Sequence, residues 1–224
     1  MTRAFATRET ELELLAQGAP LVGMDEVGRG ALAGPVAVGA CALLGGEPEP
    51  PQGLADSKLL SPRRRADLVE PVREWAAAHA VGWASNEEID RFGIIPALRL
   101  AGMRALEDLT RLIGAPALVL LDGSHDWLTP PDDLLAELDG PALPQIATPP
   151  VVTKVKADAS CTIVAAASIL AKVARDEFMC GLDDPGYAWQ QNKGYASPAH
   201  VEGLRRHGPS QLHRRSWRLP GAPK

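Results

Sequence analysis

The chain has 224 residues, 46% of them hydrophobic and 23% charged, with a formal net charge of −5, the composition of a globular protein able to bury one substantial core. No apolar run approaches the length of a membrane span, and the acidic stretch Glu9 to Glu13 stands where a signal-peptide core would lie, so the expected compartment is the cytoplasm. Cys41, Cys161 and Cys180 are far apart without C-x-x-C spacing, which argues against a disulfide framework or a zinc site and leaves buried, reduced thiols as the expectation.

In chain order, a short helix is expected near Arg8 to Gln17, followed by strands at about 20–27 and 35–44 joined by a glycine loop. Between them lies Gly23-Met24-Asp25-Glu26-Val27-Gly28-Arg29-Gly30, two adjacent acids at the end of an apolar run and an arginine bracketed by glycines. Ionised carboxylates in such a setting need partners. Neighbouring side chains of an extended strand point to opposite faces, so Asp25 and Glu26 meet one cation only if the strand bends or ends there. Gly28 and Gly30 permit that bend and a close approach to main-chain N–H groups, and Arg29 adds a planar donor for phosphate or carboxylate. An internal ion pair among Asp25, Glu26 and Arg29 accounts for the same residues. A dinucleotide-binding loop fits poorly, because Gly34 comes one position late for the fingerprint and Pro35 to Cys41 continues as a strand where a helix should start.

Ser61-Pro62 should open a helix with Leu68, Val69, Val72 and Trp75 on one face and a kink at Pro71. Ala80 to Ser85 reads as a strand, Ser85-x-x-Glu88 as a capping box, and Ile95-Pro96 as the start of a longer helix ending at Gly114. Ala117 to Leu121 is a buried strand running into Asp122-Gly123. The stretch from Ser124 to Pro150, with six prolines, is an excursion with one helical turn near Leu134 to Leu138. Val151 to Lys156 alternates as a half-exposed strand, after which Asp158 follows; Cys161 to Met179 reads as a helix packed across the sheet. A last helix spans Ser197-Pro198 to about Gly208. Trp75 and Trp83 read as core, Trp127, Trp189 and Trp217 as loop packing, and His200, His207 and His213 as surface or phosphate-proximal groups without metal-ligand spacing.

Charge is unevenly spread. Residues 190–224 carry seven Lys or Arg against Glu202, a local balance of +6 that leaves −11 on the first 189 residues. A basic tail on an acidic body fits a protein that holds phosphates in one region and cations in another, although a solvated terminus explains it as well. Asp25, Glu26, Asp122 and Asp158 each fall at or just after the predicted C-terminal end of a strand, where ligands gather in parallel α/β sheets. Four hard oxygen donors suit Mg²⁺ or Mn²⁺, and paired ions of this kind support phosphodiester hydrolysis.

The motifs G-M-D-E-V-G-R-G-A-L-A-G-P-V at 23–36, D-S-K-L-L at 56–60, E-I-D at 88–90, L-L-D-G at 120–123, K-A-D at 156–158, A-A-A-S-I-L-A-K-V-A-R-D at 165–176, N-K-G-Y at 192–195 and H-R-R-S-W at 213–217 together resemble the bacterial type 2 ribonucleases H, the ribonuclease HII family. G-R-G, where the type 3 enzymes are expected to have G-T-G, places the resemblance with type 2. It implies an α/β ribonuclease H-like mixed central sheet flanked by helices: one catalytic domain over 1–224, with a core at about 18–180 and a basic C-terminal helical segment at about 181–224.

The resemblance further implies an Mg²⁺- or Mn²⁺-dependent endonuclease. It would cut the RNA strand of RNA/DNA hybrids and single ribonucleotides in duplex DNA, leaving 3′-hydroxyl and 5′-phosphate ends, in ribonucleotide removal and primer processing. Asp25, Glu26, Asp122 and Asp158 correspond to the family's metal-binding and catalytic acids, with Asp176 as the alternative fourth acid or a structural ion-pair partner of Lys172. Gly28, Arg29 and Gly30 with Tyr195 correspond to its reader of the ribose 2′-hydroxyl, and Lys58 to a phosphate contact. The chain departs from many bacterial relatives at Ala157, where they carry Gly, and at Trp217, where they carry Phe. A monomer without an obligate protein partner is expected.

Overall fold

The computed structural model describes residues 6–54, 60–131 and 139–222. Lys58 and the helical turn expected near Leu134 to Leu138 lie outside the described residues. Five strands, β1 (Leu21–Val27), β2 (Val36–Leu43), β3 (Ala78–Ala84), β4 (Leu118–Asp122) and β5 (Val151–Lys154), form one sheet in the order β3-β2-β1-β4-β5. β1, β2 and β3 are antiparallel neighbours, whereas β1, β4 and β5 run parallel, so the C-terminal ends of those three strands share one edge of the sheet.

Helices cover both faces: α1 (Glu9–Leu15), α2 (Pro62–Trp75), α3 (Asn86–Phe92), α4 (Ile94–Ile113), the short α5 (Ala157–Ser160), α6 (Thr162–Cys180), the short α7 (Trp189–Asn192) and α8 (Pro198–His207). Strand alternation sorts the apolar side chains between two cores. Val22, Met24, Val38 and Ala40 pack with Leu98, Met103 and Leu106 of α4, while Leu21, Cys41 and Leu43 pack with α2 and α6 through Leu68, Val72, Ile163 and Leu170. Because both faces are buried, the strands read as near-continuous apolar runs.

α6 lies unusually close to the sheet. A Cβ on Gly39 would stand 2.0 Å from the Ala167 carbonyl oxygen, so only glycine admits the helix backbone at that distance. The N-terminus of α6 has no capping side chain of its own. Instead the fully buried Glu11 of α1 accepts hydrogen bonds from the Thr162 hydroxyl at 2.8 Å and the Ile163 amide at 3.0 Å, satisfying orphan donors where the helix dipole favours negative charge.

The capping box forms as expected, with Ser85 and Glu88 bonding each other's backbone at the start of α3. α2 continues through Pro71 to Trp75, anchored on both sides of it by buried Leu68 and Val72, so the proline does not end the helix. Cys41 and Cys161 are buried but Cys180 is exposed, because it is the last residue of α6. Trp127 and Trp189 are core residues, each only 1% exposed, while Trp83 is half-buried against Phe178; the alternation of β3 turns it off the α4 face. Among the described residues no helix is long and apolar enough to cross a membrane.

Candidate active site

The parallel register brings acids from distant sequence together. Met24 pairs with Leu121, so the next residues along β1 and β4, Asp25 and Asp122, come side by side at the strand ends. Leu21 and Leu120 belong to the core under α6, and period-two alternation puts Asp25 and Asp122 on that same face. Asp158 lies just beyond β5, in α5, after a left-handed turn at Lys156 (φ 58°), and its amide donates to Asp122 Oδ1 at 3.2 Å. Burial pushes the Asp25 carboxyl up to about 8 against the opposing effect of a Ser168 hydrogen bond, with the charges of Glu26, Asp122 and Asp158 adding to the rise. Asp122 is raised by burial and by Asp158, and held back by the amides of Asp158 and Ala157.

Glu26 alternates to the other side of the strand from Asp25, yet it lines the same hollow as Asp25 and its charge adds to the rise of both Asp25 and Asp122. Its Oε2 accepts the Trp127 indole N–H at 3.3 Å and its Oε1 pairs with Arg29 at 3.2 Å, so the ion-pair reading of this segment holds for Glu26 and Arg29. Among the described residues no three acidic, histidine or cysteine side chains are gathered tightly enough to hold a metal ion as they stand. The donor chemistry nevertheless fits a hard divalent cation: only carboxylate oxygens are involved, and Asp25 is 8% exposed with like charges around it, a cost that a cation would offset.

The glycine loop faces the same cleft as the two acids of β1. Asp25, Glu26, Gly28, Arg29, Gly30, Ser168, Lys172 and Tyr195 line a hollow of about 320 Å³. Gly28 has φ 85°, and a Cβ there would stand 2.1 Å from Arg175 Nε, so glycine is required by both conformation and space. The Gly28 amide donates to the Tyr195 hydroxyl at 3.0 Å. Two fully buried arginines support the loop from behind. Arg214 donates to the carbonyls of Gly28 at 2.6 Å and Arg29 at 2.8 Å, and Arg175 to those of Pro35 at 2.9 Å and Lys193 at 3.0 Å. With these carbonyls held from behind, the Gly28 amide is left to the Tyr195 hydroxyl at the cleft wall.

Of the expected site residues, the structure brings Asp25, Asp122 and Asp158 to one face and Gly28, Arg29, Gly30 and Tyr195 to the adjoining wall, with Glu26 between them. Asp176 is paired with Lys172, one helical turn away, as its spacing suggests. The basic C-terminal segment is not an open phosphate grip throughout: Arg205 and Arg206 both pair with Glu202, and Arg214 is buried. His200 and His213, expected at the surface, are fully buried, because each satisfies the other's ring nitrogen at 2.9 Å. Sequence reasoning missed Ser168, Trp127 and the supporting role of Arg175 and Arg214. A signal existed for α6, where Ser168, Lys172 and Arg175 recur at helical spacing within an apolar helix.

The family model described as ribonuclease HII matches residues 22–219. A ribonuclease HII of Streptomyces avermitilis is 44% identical over 213 residues, covering 94% of this chain and 82% of that protein. Among solved structures, the PCNA:RNase HII complex from Archaeoglobus fulgidus is similar with a TM-score of 0.63 at 25% identity, covering 90% of this chain and 96% of that one. Bst-RNase HIII in complex with Mn²⁺ is similar in fold, with a TM-score of 0.59 at 23% identity over 84% of this chain and 63% of that one. The mixed sheet with flanking helices is therefore a ribonuclease H-like α/β fold. Motif order, sheet topology and near-complete coverage agree, and the chain belongs to the ribonuclease HII family as a ribonuclease H, an endonuclease.

Proposed function

We propose that this protein hydrolyses the RNA strand of RNA/DNA hybrids and cuts at single ribonucleotides embedded in duplex DNA, leaving 3′-hydroxyl and 5′-phosphate ends. The observation that carries the reading is the shared cleft: the acids of β1 line the same hollow as the Gly28–Gly30 loop and Tyr195. A site that must cut only beside a ribose needs a hydrolytic group and a 2′-hydroxyl sensor within one nucleotide of each other, and the 2′-hydroxyl is what tells RNA from DNA.

Asp25, Glu26, Asp122 and Asp158 are the proposed ligands of Mg²⁺ or Mn²⁺ and the catalytic acids. When bound, such a cation supplies charge neutralisation at the scissile phosphate and lowers the pKa of an attacking water. Asp25 and Asp122, side by side on one face, would hold the cation, and a hydrogen bond from the Ser168 hydroxyl orients the Asp25 carboxylate. Lys172, at the cleft wall and paired with Asp176, places a positive charge beside the phosphate path. The amides of Gly28 to Gly30 and the Tyr195 hydroxyl bind the 2′-hydroxyl, whose arrival replaces or extends the Gly28–Tyr195 bond. Lys58 is proposed as a further phosphate contact.

The proposed unit is a single catalytic domain acting as a monomer, a core at about 18–180 with its C-terminal segment at about 181–224. The proposed setting is cytoplasmic ribonucleotide removal and primer processing. The test is incubation with duplex DNA carrying one ribonucleotide, an RNA/DNA hybrid and an all-DNA duplex, with Mg²⁺ or Mn²⁺, followed by end analysis of the products. Cleavage 5′ to the ribonucleotide with ligatable ends supports the reading; no cut in either metal would overturn it.

A further inference from the structure

The two histidines expected at the surface form a buried hydrogen-bonded chain whose polarity is fixed at both ends. The Ser210 amide donates to His213 Nδ1 at 3.0 Å, and a backbone N–H can only donate, so this nitrogen is the unprotonated one. His213 Nε2 then carries the proton and donates to His200 Nε2 at 2.9 Å. That leaves the His200 proton on Nδ1, which donates to the Tyr195 carbonyl oxygen at 2.9 Å, a group that can only accept. Both neutral tautomers follow from the Ser210 amide at one end and the Tyr195 carbonyl at the other. The Ser210 hydroxyl, 2.9 Å from His213 Nδ1 and accepting from the Leu212 amide, then donates to that nitrogen as well. Burial holds both rings below their ordinary value, His213 down to about 4, which agrees with an uncharged pair.

The chain does not stop at Tyr195. His213 is followed by Arg214, whose guanidinium grips the Gly28 carbonyl at 2.6 Å, and the Gly28 amide returns to the Tyr195 hydroxyl at 3.0 Å. The circuit runs from Gly28 to Tyr195, His200, His213, Arg214 and back to Gly28. Both backbone polar groups of Gly28, its N–H and its carbonyl, and both polar ends of Tyr195, its hydroxyl and its carbonyl, are thereby tied to one another through the C-terminal segment. The Arg214 amide further donates to the Leu32 carbonyl at 2.9 Å, fixing the segment beside the glycine loop.

We infer that His200 and His213 are positioning residues for ribose recognition: as a neutral pair of defined tautomers, they lock the Tyr195 backbone so that its hydroxyl stays in register with the Gly28 amide. This rests on the reading of Gly28 and Tyr195 as the 2′-hydroxyl sensor. Losing the clamp lowers cleavage at a lone ribonucleotide more than cleavage of a continuous hybrid, where a 2′-hydroxyl is available at every register.

Two measurements test it. In histidine-¹⁵N-labelled wild-type protein at pH 7, long-range proton–nitrogen spectra are expected to show His200 protonated at Nδ1 and His213 at Nε2; the opposite tautomers, or a charged ring, overturn the clamp. Second, the ratio of kcat/KM on a single-ribonucleotide duplex to that on an RNA/DNA hybrid is compared for His200→Leu, His200→Asn and Tyr195→Phe, with thermal melts confirming folding. His200→Leu is expected to lower the ratio about tenfold, the worth of one positioned hydrogen bond, and His200→Asn, which keeps a donor for the Tyr195 carbonyl, to restore most of it. A fall in Tyr195→Phe with none in folded His200→Leu overturns the clamp and leaves the sensor reading standing. No fall in Tyr195→Phe overturns the sensor reading and, with it, the clamp as a specificity device.

Discussion

The Gly28 amide donates to the Tyr195 hydroxyl at 3.0 Å across 167 positions of sequence. One partner belongs to the loop that leaves β1, the other to the turn after α7, and the cleft they wall also holds the β1 acids. Arg175 lies over the Tyr195 ring, 5.4 Å from its centroid, and bonds the carbonyl of Lys193 two residues earlier, so the ring is held on its face as well as at its hydroxyl. Replacing Tyr195 by Ala is expected to reduce preference for a ribonucleotide junction by about tenfold, read as relative cleavage rates on single-ribonucleotide and hybrid substrates. Unchanged preference would remove Tyr195 from the sensor.

Asp122→Asn is expected to cut activity by about two orders of magnitude or more while leaving the fold intact. The amide oxygen of Asn still accepts the Asp158 N–H, so the local hydrogen bond survives and only the negative charge is lost. Steady-state cleavage and circular dichroism together check this; near wild-type activity in Asp122→Asn would take the residue out of the acid set.

Asp25 makes the metal-free protein sensitive to alkali. Its folded value of about 8 lies above the ordinary 3.8, so between the two the native state keeps a proton that the unfolded chain releases. Stability therefore falls as pH rises from about 4 to about 8. Asp25→Asn is expected to raise stability at pH 8 by about 1 kcal/mol or more in chelator, and added Mg²⁺ to stabilise wild type more than the variant. Equal melting temperatures for the two proteins at pH 8, with and without Mg²⁺, would contradict this.

His213 acts with the opposite sign. Its folded value of about 4 lies below the ordinary 6.5, so the stability contributed by the neutral ring is complete above 6.5 and is lost as pH falls toward 4. His213→Gln, which can still accept from Ser210 and donate to His200, is expected to flatten the decline in melting temperature between pH 7 and pH 5. A variant with the wild-type slope would show that another group governs acid lability.

Glu11 is expected to matter for folding far from the cleft. Glu11→Ala leaves the Thr162 hydroxyl and the Ile163 amide without a partner in a buried site and should cost about 1–3 kcal/mol in urea unfolding. Glu11→Gln keeps an acceptor and should cost less; equal losses would point to packing in place of hydrogen bonding.

The chain's local chemistry was legible wherever a residue's role depends on its near neighbours. The strands at Leu21–Val27 and Val36–Leu43, the Ser85 and Glu88 capping box, the helix from Ile94 and the Lys172–Asp176 pair all follow from periodicity, capping or i,i+4 spacing. What Arg214, His200 and His213 do was not legible, because a histidine or arginine in a polar stretch reads as solvated until its partners are known. Glu26 shows the same limit from the other side: the sequence could say that strand alternation opposes it to Asp25, but Trp127, about a hundred residues away, decides where its carboxylate rests.

By itself, then, the sequence determined the order of elements, the ribonuclease HII motifs and the candidate acids, since these depend on contacts over a few residues. Only the tertiary structure decided that the parallel pairing of β1 with β4 sets Asp25 beside Asp122, and that the C-terminal segment turns one cation, Arg214, inward to hold the glycine loop. Burial is the physical reason: whether a charge or a ring nitrogen faces solvent or a main-chain carbonyl is settled by the packing of distant segments, which no local pattern encodes.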